Sequence, residues 1–185
     1  IARLADKYNR KNIVTVSLVL WSGITALSGL AQNYIQLLLA RIGVGIGEAG
    51  GSPPAHAMLS DYYPPEKRAT ALSTYSVGIY IGILVGLFVG GMLDEAYGWR
   101  VAFFAMGIPG ILYAFLLYFT VKEPQRGFYD KPIEKKDATS MMDVSKYLFS
   151  KKTFIYLGMG SGLAAFSNYG VGNWMPSFLA RTHGM

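Results

Sequence analysis

The sequence predicts an all-α transmembrane protein, a partial helical bundle of about five membrane-crossing helices with a cytoplasmic loop between its two parts. Three observations predict it. The 185 residues are 52% hydrophobic and only 15% charged, whereas a water-soluble domain carries about a quarter charged residues. Five stretches approach or exceed the roughly 20 apolar residues that a helix needs to cross a bilayer. Lysine and arginine are gathered into alternate connecting segments, the pattern of cytoplasmic loops.

Taken in order, residues 13–40 carry no charge and break near Ala31–Gln32–Asn33–Tyr34. This places span a at about 13–31 and span b at about 35–60. Span b holds Arg41, Glu48 and His56, and Pro53 with Pro54 should bend it near its inner end. Span c, about 69–93, span d, 101–121, and span e, about 153–179, are free of charge. Pro109 should bend span d. Buried helices of a large soluble protein would explain any one of these stretches but not five in 185 residues.

Charge sets the orientation. Residues 1–12 carry Arg3, Lys7, Arg10 and Lys11, the b–c loop carries Lys67 and Arg68, and the d–e segment carries eight basic residues. These lie on one side of the bilayer, and the opposite side holds Arg100 and Arg181 alone. The basic side is therefore cytoplasmic. The net charge of +6 follows from topology and needs no nucleic acid. Tyr34, Trp99 and Trp174 fall near the outer interface, and Tyr62 and Tyr63 near the inner one, where amphipathic rings settle. The chain begins at Ile1 without an initiator Met or a signal-peptide pattern, so a segment of a longer protein is expected.

The one soluble piece is 122–152. Pro124, Gly127 and Pro132 interrupt it, and 140–149 then reads as a short helix capped by Ser140, with Met141, Val144 and Leu148 at helical spacing. Two readings stand: a helix lying on the inner membrane surface, or a solvated linker.

Gly45–Ile46–Gly47–Glu48–Ala49–Gly50 spells the G-x-G-x-x-G dinucleotide fingerprint, which requires a strand before it and a helix after it. Inside a membrane span an isolated strand cannot satisfy its backbone, so no nucleotide cofactor is expected. On a helix, Arg41 and Glu48 are two turns and roughly 10 Å apart on one face. Gly43, Gly47 and Gly50 fall on roughly the opposite face, which suits close packing. The charged face must look into the bundle or a wet cavity. A static buried charge pair is one account of it, and a substrate or proton site is the other. Glu48 near mid-membrane is suited to loading and releasing a proton, since burial raises a carboxyl pKa and an arginine lowers it. Gly78, Gly82, Gly86 and Gly90 of span c, followed by Gly91, form a helix-packing stripe. Ser161 and Asn168 share a face of span e. They either line a cavity or bond neighbouring helices. Gly170 and Gly172 loosen the outer half of that span. No cysteine is present, and His56 and His183 have no partner at metal-ligand spacing. Metal, cofactor and catalytic residues are therefore not expected, and neither is an enzyme.

These residues resemble the major facilitator superfamily. "LADKYNRK" at 4–11 is similar to its motif between the second and third helices, with Ala2 in place of the leading glycine. The resemblance implies that Asp6, Lys7, Arg10 and Lys11 form a cytoplasmic gate latch. "RIGVGIGEA" at 41–49 fits the fourth-helix pattern R-x-x-x-G-x-G-x-A. The span c glycines resemble the fifth-helix antiporter motif, but Leu87 follows Gly86 where proline is expected. "GIGEAGGSPPAHAMLSDYYPPEKRATA", "GWRVAFF", "KEPQRG" and "NWMPSFLARTHGM" resemble the spinster branch. The resemblance implies that spans a–e are helices three to seven of twelve. Residues 1–121 then belong to the N-terminal bundle, 122–152 link the bundles, and 153–185 open the C-terminal bundle. It implies a multi-pass protein of the cell membrane that transports lysolipids or phosphorylated sphingoid bases by alternating access, in some members with protons. Arg41 and Glu48 would face the central cavity. The expected partners are a small-molecule or lipid-like substrate, protons and the bilayer; the oligomeric state is not fixed. The rival readings are a transporter of drug-like or organophosphate cargo, or a membrane-embedded enzyme or scaffold.

Overall fold

The computed structural model describes residues 5, 8–130 and 141–184. It falls into two compact units, Ile1–Pro132 and Ile133–Met185. The first unit contains α1 (Arg10–Ser28), α2 (Tyr34–Glu48), α3 (Ser52–Tyr62), α4 (Pro65–Tyr97) and α5 (Trp99–Thr120). The second contains α6 (Met141–Ser150) and α7 (Lys152–His183). No strand occurs among the described residues.

Each expected span corresponds to helix, and local chemistry sets most of the ends. Asn9 caps α1 by accepting from the Asn12 backbone N–H at 2.9 Å. Asn33 caps α2 by accepting from Gln36 N–H at 2.9 Å, while the Gln36 side chain accepts from Gln32 N–H at 2.7 Å. That reciprocal pair satisfies N–H groups the helix start leaves open. Gly98, with φ +83°, closes α4 and opens α5. Only glycine takes that conformation without strain. Span b departs from expectation, because its break comes at 49–51, ahead of the prolines. Pro53 then falls in the first turn of α3, where a missing N–H costs nothing. Pro109 lies inside α5, which continues through it, and Pro176 lies likewise inside α7.

Among the described residues, α1, α4 and α5 are long and apolar enough to cross a membrane by those criteria alone. Span b is divided into pieces of 15 and 11 residues, too short singly. In α7 the polar residues Ser161, Ser167, Asn168 and Asn173 lower the hydropathy of a helix that has length enough at 32 residues.

Glycines draw the helices of the first unit together. On α5, a methyl group at Gly107 would stand 2.5 Å from the Ala26 nitrogen and 2.7 Å from the Ser22 carbonyl oxygen of α1, and one at Gly110 would collide with the Ser22 hydroxyl. Gly29 lies against the Arg100 carbonyl and the Phe104 ring. On α2, Gly43 meets Ile24 and Gly47 meets the Trp21 backbone, as the small face of that helix predicts. The α4 stripe is different. A methyl at Gly78, Gly82 or Gly86 meets nothing within 4 Å, and one at Gly90 meets only Met106 Cε at 4.0 Å. Within this unit the α1–α5 contact uses glycines, and the α4 stripe approaches α5 only loosely, at Gly90.

Gly107→Ala should lower the thermal midpoint of the detergent-solubilised protein, equivalent to about 1–3 kcal/mol of overpacking. Helix propensity alone would favour alanine by up to about 1 kcal/mol, so an unchanged or raised midpoint would show that the α1–α5 contact is looser than described.

Candidate functional site

Two charged constellations lie on the first unit, at different depths. The inner one grows from the start of α1. Arg10, buried, donates through Nη1 to Asp61 Oδ2 at the end of α3, through Nε to Glu123 Oε1 at 2.7 Å, and through Nη2 to the Pro124 carbonyl at 3.1 Å. The Lys11 backbone N–H donates to Glu123 Oε2 at 2.8 Å, and Gly127 N–H donates to Asp61 Oδ1 at 3.0 Å. Lys11 Nζ donates to the Tyr118 carbonyl at 3.1 Å and lies 4.5 Å from the Tyr118 ring centroid. Arg126 donates to the carbonyls of Ala5 and Tyr8, and the Tyr62 hydroxyl donates to the Lys122 carbonyl. One guanidinium thus ties α1, α3 and the segment after α5 together. The Arg10 and Asp61 side chains are 6% and 9% exposed. Removing one partner of so buried a pair strands the other and costs about 3–5 kcal/mol.

Of the four residues expected in the gate latch, Asp6 and Lys7 lie outside the described residues. Arg10 and Lys11 bond within this unit. Asp61 and Glu123 were not singled out from the sequence, though a signal existed. Asp61 is the only acid in α3, and a lone buried charge requires a partner.

The deeper constellation is on α2. Arg41 Nη2 donates to the Ser28 hydroxyl of α1 at 2.6 Å, and its guanidinium sits 4.7 Å from the Phe103 ring centroid of α5. Ser28, fully buried, donates its own hydroxyl hydrogen bond to the Ile24 carbonyl at 2.8 Å. Among the described residues no carboxylate pairs with Arg41, and no ion pair joins it to Glu48. Glu48 lines a cavity of about 720 Å³ with Ser22 and Thr25 of α1, Ile79 of α4 and Met106 of α5. Among the described residues Glu48, Ser22 and Thr25 have no side-chain hydrogen-bond partner. Trp21 against Gly47 and Ser28 against Arg41 fix an antiparallel register. It brings the α1 hydroxyls Ser22, Thr25 and Ser28, one turn apart, to the level of the two charges. Those hydroxyls were missed because a serine's role depends on its facing helix. Ser161 and Asn168 lie seven residues apart on α7, in the second unit.

No group of His, Cys, Asp and Glu among the described residues could hold a metal. His56 meets Tyr75 edge-on, with centroids 5.2 Å apart.

The inner cluster carries a pH signature. Burial pushes the Glu123 carboxyl upward, but the Arg10 guanidinium and the Lys11 N–H outweigh it and hold the group below its ordinary value. A depressed folded-state pKa contributes stability above the unfolded value of about 4 and loses it as pH falls through the folded value. Acidification below about pH 4 should therefore destabilise the protein, and Glu123→Gln should flatten that part of the profile. Superimposable acid limbs for protein and variant would refute the assignment.

The profile of the Major Facilitator Superfamily matches residues 1–185. An MFS-type efflux pump of Mycolicibacterium smegmatis is 32% identical over 100% of this chain and 42% of its own length. The sphingosine-1-phosphate transporter SPNS2 of Danio rerio is 30% identical over 96% of this chain and 36% of its own. A crystal structure of a bacterial homologue of the human lysosomal transporter spinster, inward-facing and unoccupied, superposes with a TM-score of 0.78 at 36% identity. It covers 100% of this chain and 44% of that one. The chain therefore spans less than half the length of these relatives. With helices and no strand among the described residues, and with this neighbour, it is a partial bundle of a multi-pass membrane protein, similar to the spinster branch. The chain belongs to the Major Facilitator Superfamily.

Proposed function

We propose that the protein containing this chain is a secondary transporter of a small amphiphilic organic anion or zwitterion, of the lysophospholipid or phosphorylated sphingoid-base kind, working by alternating access. The observation that carries this reading is Arg41. A guanidinium in a membrane helix is held by a hydroxyl and an aromatic ring, with no carboxylate on it among the described residues. Its charge is then available to an anionic headgroup, and guanidinium pairs with phosphate or carboxylate by strong, directional hydrogen bonds. The sphingosine-1-phosphate transporter among its relatives carries such a phosphate.

In this reading Glu48 carries the proton. It stands beside a cavity, near the hydroxyls of Ser22 and Thr25, and makes no ion pair among the described residues. Ser161 and Asn168 of α7 contribute polar groups to the substrate path, and apolar residues of the spans accept the tail. Residues 1–121 form part of the N-terminal bundle, 122–152 the cytoplasmic link, and 153–185 the first helix of the C-terminal bundle. Asp6, Lys7, Arg10 and Lys11 serve the cytoplasmic gate, and Gly78, Gly82, Gly86 and Gly90 serve close helix packing. The efflux pump among the relatives favours a second reading, in which the same fold exports a drug-like solute.

In proteoliposomes of the full-length protein, Arg41→Ala should weaken binding of a lysophosphatidate about 10–100-fold, the worth of a charged hydrogen bond of about 1.5–3 kcal/mol. Glu48→Gln should keep binding and lose uptake driven by a pH gradient. Unchanged binding in the first variant would remove the headgroup role, and intact proton-driven uptake in the second would remove the proton role. Transport of cationic dyes in preference to lysolipid would favour the second reading.

A further inference from the structure

The second unit contains a surface that the transport site does not use. Helix α6 presents Val144, Tyr147 and Leu148 on one face, at spacings i, i+3 and i+4, with Lys146 and Phe149 on the opposite side and Asp143 and Ser150 on the flank between them. It ends at Ser150 and α7 starts at Lys152, so only Lys151 lies between them. The Phe149 ring packs edge-on to Phe154, with centroids 5.6 Å apart, and fastens the last turn of α6 to the first turn of α7. Lys151 Nζ sits 4.7 Å from the Tyr147 ring centroid.

These contacts fix where α6 lies. The apolar run of α7 begins at Phe154, one residue after Lys151 and Lys152, and the charge pattern predicts that the basic side of the chain is cytoplasmic. The junction therefore sits at the inner headgroup level. A ten-residue helix is about 15 Å long, so all of α6 stays within that distance of the bilayer. Within its own unit, α7 leaves the apolar face of α6 uncovered. Val144 is 39% and Leu148 37% exposed, and Tyr147 is 62% exposed. Three lysines, Lys146, Lys151 and Lys152, accompany one acid, Asp143, between 141 and 152.

An apolar face beside an excess of lysine at the membrane boundary matches the chemistry of an anionic leaflet. We propose that α6 is an in-plane helix that binds anionic lipid of the cytoplasmic leaflet. Val144, Tyr147 and Leu148 enter the acyl boundary. Lys151 and Lys152 meet lipid phosphates directly, and Lys146 reaches them by extending its side chain along the helix toward the headgroups. The lysines give preference for negative charge, because each near such a surface multiplies retention about five-fold.

The test uses the full-length protein, free of other reactive cysteines, in liposomes of phosphatidylcholine with or without phosphatidylglycerol. Spin labels are placed by Val144→Cys, Leu148→Cys and Ser150→Cys, and collision with oxygen and with a water-soluble nickel chelate is measured. Labels at 144 and 148 should collide with oxygen and not with nickel, and the label at 150 should do the reverse. Lys146→Ala with Lys151→Ala should reduce co-purifying phosphatidylglycerol by about five-fold per lysine. Nickel access at 144 and 148 would make the segment a solvated linker. Access to neither reagent would mean that protein covers the face. Lipid retention indifferent to the lysines would remove the anionic preference. Each of these three results overturns the proposal.

Discussion

The structure depends on one constraint: where these helices face lipid there is no water to satisfy a polar group. In hydrocarbon every backbone N–H and C=O must be bonded within the protein, which leaves the helix as the form these segments can take. Side chains obey the same rule. Thr15, Ser28, Ser60, Thr74, Ser76, Thr120 and Asn173 each donate to the carbonyl four residues earlier in their own helix. None of these groups needs a partner elsewhere. The polar residues that do look outward from their helix are therefore informative, and on the first unit they gather at two levels.

At the inner level charge holds structure. Arg10 answers two carboxylates and a carbonyl at once, so the start of α1, the end of α3 and the segment after α5 are tied together. At the deeper level the charges are left open. Arg41 rests on Ser28 and Phe103, and Glu48 borders a cavity with Ser22 and Thr25. A saturated cluster suits a hinge or clamp, and an unsaturated one suits exchange with a ligand. That contrast, within one unit of one chain, is the physical basis of the transport reading.

Much of the fold was legible because long uncharged stretches and asymmetric lysine placement record the bilayer directly. Asn9 and Asn33 as caps, and Gly98 as the joint between α4 and α5, are local effects of a few residues. The break of span b was legible only in part. Pro53 and Pro54 marked the region, but a helix tolerates proline in its first turn, so the break fell before them at 49–51. The packing glycines were legible only in part. Four evenly spaced glycines on α4 drew attention, whereas Gly29, Gly107 and Gly110 make the tight contacts in this unit. Spacing along one helix does not say which neighbour it will meet. The lone acid Asp61 signalled that a partner was needed, but not which one, because Asp61 and Glu123 are 51 and 113 residues from Arg10.

The central claim is that Arg41 and Glu48 border water inside the membrane rather than acyl chains. Cysteine placed singly at 41 and at 48 in the full-length protein, probed with a charged, membrane-impermeant methanethiosulfonate, tests it most directly. The account predicts modification at both positions, slowed by a saturating lysophospholipid, because the thiolate that reacts forms only where water reaches. Reaction with a lipophilic maleimide alone, and none with the charged reagent at either position, would contradict it.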